Sequence, residues 1–405
     1  MTNIAANNHA DLVVVGGGIV GLSCAWKWMQ RFPDTRVIVL EQEAAVAAHQ
    51  SGHNSGVIHS GVYYKPGSLK ATTCRDGKKQ MEQFCDRFDV PWERCGKVIV
   101  ATRENEISRL ESIRERGVQN GVNVERINTD QLREIEPNAA GIAALHVPES
   151  GIVNYRCVCE TLRDQIRVQG GKVFLNKKVQ RISKRNEGPD QKIHCADGQQ
   201  IVCGHVILCG GLHSDRIAQQ CGLNTAIRIV PFRGEYYELT PEAESLVRNL
   251  IYPVPDPKFP FLGVHFTRMI AGGIECGPNA VPALARHGYG WGNVSVRDTW
   301  ETLAFAGFRR LASRHVRMGL GEIHRSLSKS AFVAALRRLL PSLKKKHLKR
   351  GRSGVRAQAV LDSGELMDDF SIQRQDRITH VLNAPSPAAT ASLAIADRII
   401  EQASS

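Results

Sequence analysis

Gly16, Gly18 and Gly21 spell G-x-G-x-x-G, and Glu41 follows twenty residues after the last of them. Glycines and an acid at that spacing bind a dinucleotide. The first glycine permits a tight turn, the second lets backbone approach a pyrophosphate, and the third lets the following helix lie close to its strand. Ile19 and Val20 open that helix, whose unpaired N–H groups and positive dipole end favour the phosphates. A carboxylate about 20 residues on meets a ribose hydroxyl. A second chemical stretch runs His49-Gln50-Ser51-Gly52-His53-Asn54-Ser55-Gly56-Val57-Ile58-His59-Ser60-Gly61-Val62-Tyr63-Tyr64. It is a loop of small and hydrogen-bonding residues that can pass backbone N–H groups along phosphates and a ring. Its histidines are four and six residues apart. That matches no usual zinc spacing, and no metal is expected.

These residues need a frame. Leu12-Val13-Val14-Val15 reads as a strand buried on both faces of a parallel sheet, Val37-Ile38-Val39-Leu40 as its neighbour, and Ala25 keeps the helix small where it faces the strand. A further apolar strand, His205 to Leu208, runs into Gly210-Gly211 and belongs beside the first, so the nucleotide unit is assembled from separate pieces of chain. No second G-x-G-x-x-G follows a strand. One dinucleotide and no nicotinamide partner domain are expected, although the triplet alone does not separate FAD from NAD.

Helices are expected over 69–90, 104–117 and 155–168, with another starting at Thr129 as cap and ending at Pro137. Residues 172–183 and 191–203 read as strands around the turn Asn186-Glu187-Gly188, and Ser214 or Asp215 as a helix cap. From Ile227 the pattern becomes alternation, giving an antiparallel sheet over 227–239 and 262–275. Arg233, Tyr237, His265 and Arg268 on it suit a small anionic ligand or a polar surface. Asn383-Ala384-Pro385-Ser386-Pro387-Ala388-Ala389-Thr390 leads into a final helix over 392–400, another place where a ring or phosphate could rest.

The 405 residues, 42% of them hydrophobic, allow about two domains. The N-terminus lacks the features of a signal peptide, and no window reaches the ~20 apolar residues of a membrane span. The eleven cysteines, scattered without C-x-x-C, read as reduced thiols of a cytoplasmic protein, with Cys157 and Cys159 as buried or edge-strand thiols. The net charge of +13 is localised: residues 303–352 hold fourteen Lys or Arg and one acid, Glu322. Two readings fit. In one, Phe305, Phe308, Leu311, Ala312, His315, Phe332, Val333, Leu336, Leu339, Leu340 and Leu343 form apolar stripes packed on the sheet under solvated bases. In the other, the basic helices and Lys344-Lys345-Lys346 meet an anionic membrane surface on its inner face. Nucleic acid is not expected, because stacking aromatics are few.

Val14 to Leu22, His53 to Tyr64, Val264 to Arg268, Gly354 to Gln358 and Asn383 to Thr390 together resemble the FAD-dependent D-amino-acid oxidase superfamily, and within it the branch acting on L-2-hydroxyglutarate. The resemblance covers about 11–400; Gln42 departs from it, where a base often follows the ribose acid. It implies an α/β fold, α+β overall. A Rossmann-like FAD-binding domain would come from 1–90, 146–226 and 351–405, and a substrate domain on a mainly antiparallel sheet from 91–145 and 227–350. It implies oxidation of L-2-hydroxyglutarate to 2-oxoglutarate, electrons passing to a quinone or oxygen. The alternatives are an amino-acid or sarcosine oxidase, a glycerol-3-phosphate dehydrogenase-like enzyme, or a flavin-bearing binding module. FAD contacts are expected at Gly16, Gly18, Ile19, Val20, Gly21, Glu41, His53, Asn54, Ser55, Gly56, Val57, Val179, Gly210, Gly211, Pro385, Ser386 and Ala388. His59 is the expected base with His265 as runner-up, since a neutral imidazole suits that proton transfer. Arg356 and Arg233 are the expected carboxylate clamps, and Tyr63, Tyr237 and Ser386 add hydrogen bonds.

Overall fold

The computed structural model describes residues 9–184, 188–256 and 262–404. The first strand, His9–Val15, is buried on both faces, and alternation gives each face its own core. Leu12 and Val14 pack with Leu22, Trp26, Leu162 and Ile395, whereas Val13 and Val15 pack with Ile193, Cys203 and Val206. Such a strand needs partners on both edges, and they come from distant sequence. Val37–Leu40 and Gln200–Leu208 flank it in parallel, with Lys172–Phe174 outside the former and Ile378–Asn383 outside the latter. Antiparallel edges complete an eight-stranded sheet among the described residues. Helices Ile19–Arg31, Leu69–Arg87, Tyr155–Val168 and Ala388–Ser404 cover one face.

Several local expectations are revised. Lys172–Phe174 joins the parallel sheet, and Asn176 (φ 57) breaks the run before Val179–Lys184, which pairs with Gln191–Cys195. Gln200–Leu208 is one continuous strand after the turn at Gly198, so the expected strand 191–203 is split. Asn186 and Glu187 lie outside the described residues. Asn128, not Thr129, caps its helix: its side chain accepts from the Asp130 and Gln131 N–H groups while Gln131 accepts from the Asn128 N–H. Asp215 does not cap the helix Ser214–Gln220. Its carboxylate is taken by Arg286 and by the Ile229 N–H. Cys157 and Cys159 sit on a helix rather than an edge strand, and all eleven cysteines are free.

The second sheet is mainly antiparallel and nine-stranded among the described residues. Its spine is Arg228–Leu239 paired with Leu348–Val360. From that spine the order runs through Ile274–Gly277, His265–Arg268, Leu250–Pro253 and Lys97–Ala101 to Ala143–Val147. The boundary expected at 351 falls inside Leu348–Val360, so the chain returns to the nucleotide sheet only after that strand. Lys97–Ala101 divides its side chains by parity. Val98 and Val100 face Phe332, Leu336 and Leu340, while Ile99 and Ala101 face Val62, Leu110 and Ile113.

The basic segment folds as Val296–Ala304, Ala306–Arg314, Val316–Leu327 and Lys329–Leu336. Phe308 and Leu311 pack on Val230 and Phe232, and Phe332 through Leu343 supplies the core under Lys97–Ala101. Ala312 is exposed, and His315 caps one helix and starts the next, so the expected stripe stops at Leu311. No helix among the described residues is long and apolar enough to cross a membrane.

Leu69–Arg87 and Ala388–Ser404 cross at Gly77, where an added Cβ would stand 2.4 Å from Ala391 Cα. Backbone cannot yield there as a flexible side chain would. Gly77→Ala is expected to cost about 1–3 kcal/mol by overpacking; a urea midpoint equal to that of the parent protein would remove this crossing as a constraint.

Candidate active site

The dinucleotide cradle is built from backbone. Gly16 has φ +116, and a Cβ on it would lie 2.4 Å from the Cys209 carbonyl oxygen. A Cβ on Gly21 would lie 2.1 Å from the Gly16 oxygen. Strand, helix and the strand end before Gly210-Gly211 therefore meet at van der Waals limits. The helix Ile19–Arg31 has no acid in its first turn, and Ser51 Oγ accepts from the Ile19 N–H at 2.9 Å. Glu41 is buried, accepting from the Gly17 and Glu43 N–H groups. Val179 follows Asn176 and Lys177, whose N–H groups donate to the Glu43 and Glu41 carbonyls. The donors, the acid and the absent side chains suit a pyrophosphate and its ribose.

Along the loop, Asn54 folds back on the Gln50 and Ser51 carbonyls and accepts from the Gly56 N–H. Ser55 continues this turn, and Val57 enters a short strand against Ile152. The three histidines go to different places. His49 contacts Glu43 and His287, and His287 contacts His213, forming a chain of imidazoles. His53 packs at a tilt against Tyr289 and donates to the Ser353 carbonyl. His59 enters the second constellation.

That constellation forms where residues 59–64 meet the antiparallel sheet. His59 is fixed through its backbone: its N–H donates to Thr390 Oγ1 and its carbonyl accepts from Cys74 Sγ. Thr390 belongs to the final helix, which begins at Ala388 just after Pro385 and Ser386. Ser386 bonds the Tyr64 hydroxyl, which ties this turn to the loop. His265 donates through Nδ1 to the Gly263 carbonyl at 2.8 Å and stacks on Tyr252, ring centroids 4.0 Å apart. A carbonyl only accepts, so Nδ1 carries the proton and Nε2 the lone pair. Burial, then Lys97, His265 and Lys70, push His59 down to about 3. Burial, then Lys97 and Arg356, push His265 down to about 3 against its bond to Gly263. Both rings are neutral at pH 7.

Arg356 joins this group by donating to the Tyr236 hydroxyl on the adjacent strand. The Tyr63 hydroxyl is buried and has no partner among the described residues. Lys97, whose residue type alone gives no sign of a role here, is buried, its Nζ 4.2 Å from the Tyr252 ring centroid and 5.6 Å from that of Tyr63. Arg233 and Tyr237, expected at the substrate, are not brought here. Arg233 donates to Glu235 and lies over Trp291, and Tyr237 packs on Phe332, so both serve the helical layer. Tyr236, of opposite parity, takes the place expected of Tyr237. Arg268 pairs with Glu93 instead.

A family model described as FAD dependent oxidoreductase matches residues 11–402. The chain belongs to this family of FAD-dependent oxidoreductases. L-2-hydroxyglutarate dehydrogenase of Indibacter alkaliphilus is 48% identical over 97% of this chain and 98% of its own length. The Escherichia coli K12 protein of that name is 44% identical over 97% of this chain and 92% of its own. Among solved structures, FAD-bound L-alpha-glycerophosphate oxidase from Mycoplasma pneumoniae superposes with a TM-score of 0.81. It is 20% identical, covers 98% of this chain and 95% of its own, and shows the shared fold. In this FAD-dependent oxidoreductase, Gly16 to Val20, Glu41 and the Gly210-Gly211 turn could hold the dinucleotide.

Replacing Glu41 with Ala removes an anionic acceptor from the cradle. FAD affinity is expected to fall about 10- to 100-fold, as loss of a charged hydrogen bond of about 1.5–3 kcal/mol implies. Quenching of flavin fluorescence by apoprotein measures it, and an unchanged dissociation constant would exclude Glu41 from ribose binding.

Proposed function

We propose that this enzyme oxidises L-2-hydroxyglutarate to 2-oxoglutarate at the His59/His265 constellation. The observation that carries this reading is two neutral imidazoles enclosed beside Arg356 and Lys97, a base with cationic groups suited to a diacid. Relatives at 48% and 44% identity that carry the L-2-hydroxyglutarate dehydrogenase name support it. Bound FAD supplies the two-electron acceptor for the hydride from C2. A ring nitrogen of His59 takes the hydroxyl proton, and His265 Nε2 accepts a hydrogen bond that orients the same hydroxyl. The Arg356 fork holds a carboxylate through paired N–H donors. Tyr63 and Tyr236 hydroxyls donate to substrate oxygens, and Ser386 keeps Tyr64 and the flavin-side turn together. His265 and Lys97 are buried and His59, Tyr63 and Arg356 half-buried, which limits water at the transfer.

Anaerobic mixing tests this directly: L-2-hydroxyglutarate should bleach the flavin band, whereas glycine, D-alanine and glycerol 3-phosphate should not. The reverse pattern would overturn the assignment. His59→Gln should keep FAD and slow reduction about 10²- to 10⁴-fold. Because both imidazoles are held near 3, they are unprotonated from pH 5 upward. The free-enzyme profile of kcat/KM should therefore show no acid limb near the ordinary histidine value of about 6.5.

We further propose that the electrons pass to a quinone, or less efficiently to oxygen, with the basic helical layer resting on an anionic membrane. Trp300, Leu303, Val316, Leu320 and Leu327 are 52–71% exposed on that layer, and Arg309, Arg310, Arg314 and Arg317 lie exposed among them. Apolar anchors interspersed with bases suit the headgroup boundary, where each base contributes about 1 kcal/mol. Vesicles containing phosphatidylserine should co-sediment the enzyme at low salt and release it at about 1 M, where the Debye length is about 3 Å. Equal binding to neutral vesicles would remove the electrostatic contact.

A further inference from the structure

We propose that Lys97 is a substrate ligand: its ammonium pairs with one carboxylate of the bound diacid. The inference rests on the diacid reading above and adds a residue to it.

Lys97 opens the strand Lys97–Ala101, and its parity is that of Ile99 and Ala101. Those residues face Val62 and the loop that carries His59, so the strand turns the lysine inward rather than to solvent. Only 2% of its surface remains exposed. Among the described residues, its Nζ has neither a hydrogen-bond partner nor a carboxylate within ion-pair distance. Its neighbours are the faces of Tyr252 and Tyr63 and the thiols of Cys74 and Cys95. Burial pushes those thiols up to about 12 and about 11, so neither is an anion at neutral pH. Cation–π contact offsets only part of the cost of burying an ammonium.

A buried cation without a counter-ion persists where a ligand provides one. The neighbouring bases sharpen the point. His59 and His265 are both neutral, and both feel Lys97 as a positive neighbour. Lys70 faces Asp368 and Asp369, and Arg356 is engaged with Tyr236. The anion that completes this arrangement is a carboxylate, and a dicarboxylate has one for Lys97 and one for Arg356. Burial lowers the Lys97 pKa to about 8, so this pairing is present at neutral pH and fades in alkali unless the anion restores the proton.

The test uses FAD-loaded enzyme and 2-oxoglutarate, which binds without reducing the flavin, read as a shift of the flavin band. Lys97→Met should weaken binding about 100-fold, the range for removing one partner of a buried charge pair. Lys97→Arg should recover much of that loss. Parent affinity should decline above about pH 8, while Lys97→Arg, with a guanidinium that stays charged, should hold its affinity through that range. Thermal stability of the unliganded Met variant should equal or exceed that of the parent, because an unpaired buried charge has been removed. If the parent enzyme binds 2-oxoglutarate and is bleached by L-2-hydroxyglutarate while the Met variant binds equally well, the Lys97 assignment is overturned and the substrate reading stands. A Met variant that melts earlier yet binds normally would make Lys97 structural. If the parent neither binds nor is bleached, the substrate reading and this proposal fall together.

Discussion

Contact between bare backbones governs this molecule. At Gly16, Gly21 and Cys209 three chain segments approach until no side-chain carbon fits between them. That approach aims the first helix at the seam between its own strand and Gln200–Leu208, and it places Glu41 and Ser51 around the same point. Everything chemical is then referred to that seam. The histidine loop leaves from beside it, and the final helix meets that loop through Thr390.

The protein holds two populations of positive charge, and they do different things. The net surplus lies in residues 303–352, mostly on exposed side chains, where water screens it and number matters more than position. A few lie in the dry space between the sheets, where each acts on every neighbour. Two imidazoles there are kept neutral largely by burial, and a nearby lysine reinforces it. The enclosure that keeps a histidine unprotonated also makes a cation costly to keep without an anion, so one physical cause acts on both.

Much of this was legible from residue types. Strand, glycines, helix and Glu41 are set by short-range rules, and the structure places them together as the pattern implies. Other features depend on which way a strand faces, which alternation does not reveal. Tyr236 and Tyr237 are adjacent, and only the packing of Phe332 shows which one serves the helices. Lys97-Val98-Ile99-Val100-Ala101 reads as an ordinary strand with a polar start; its lysine points inward because the loop at Val62 covers that face. Thr129 is a good cap by residue type, but the reciprocal bond between Asn128 and Gln131 sets the helix start one residue earlier. The exposed Trp300 and Leu320 belong to no clean period, since four short helices break the repeat.

The interleaving of the chain has a consequence for its birth. Ala391, Ile395 and Ile399 complete the same core as Leu12 and Val14, although nearly the whole polypeptide separates them. A nascent chain leaving the ribosome therefore exposes its first strand and helix long before their covering helix has been synthesised. The early segments must wait, apolar faces open, for that helix to arrive, and a stall in translation before it would leave the chain unable to close this core.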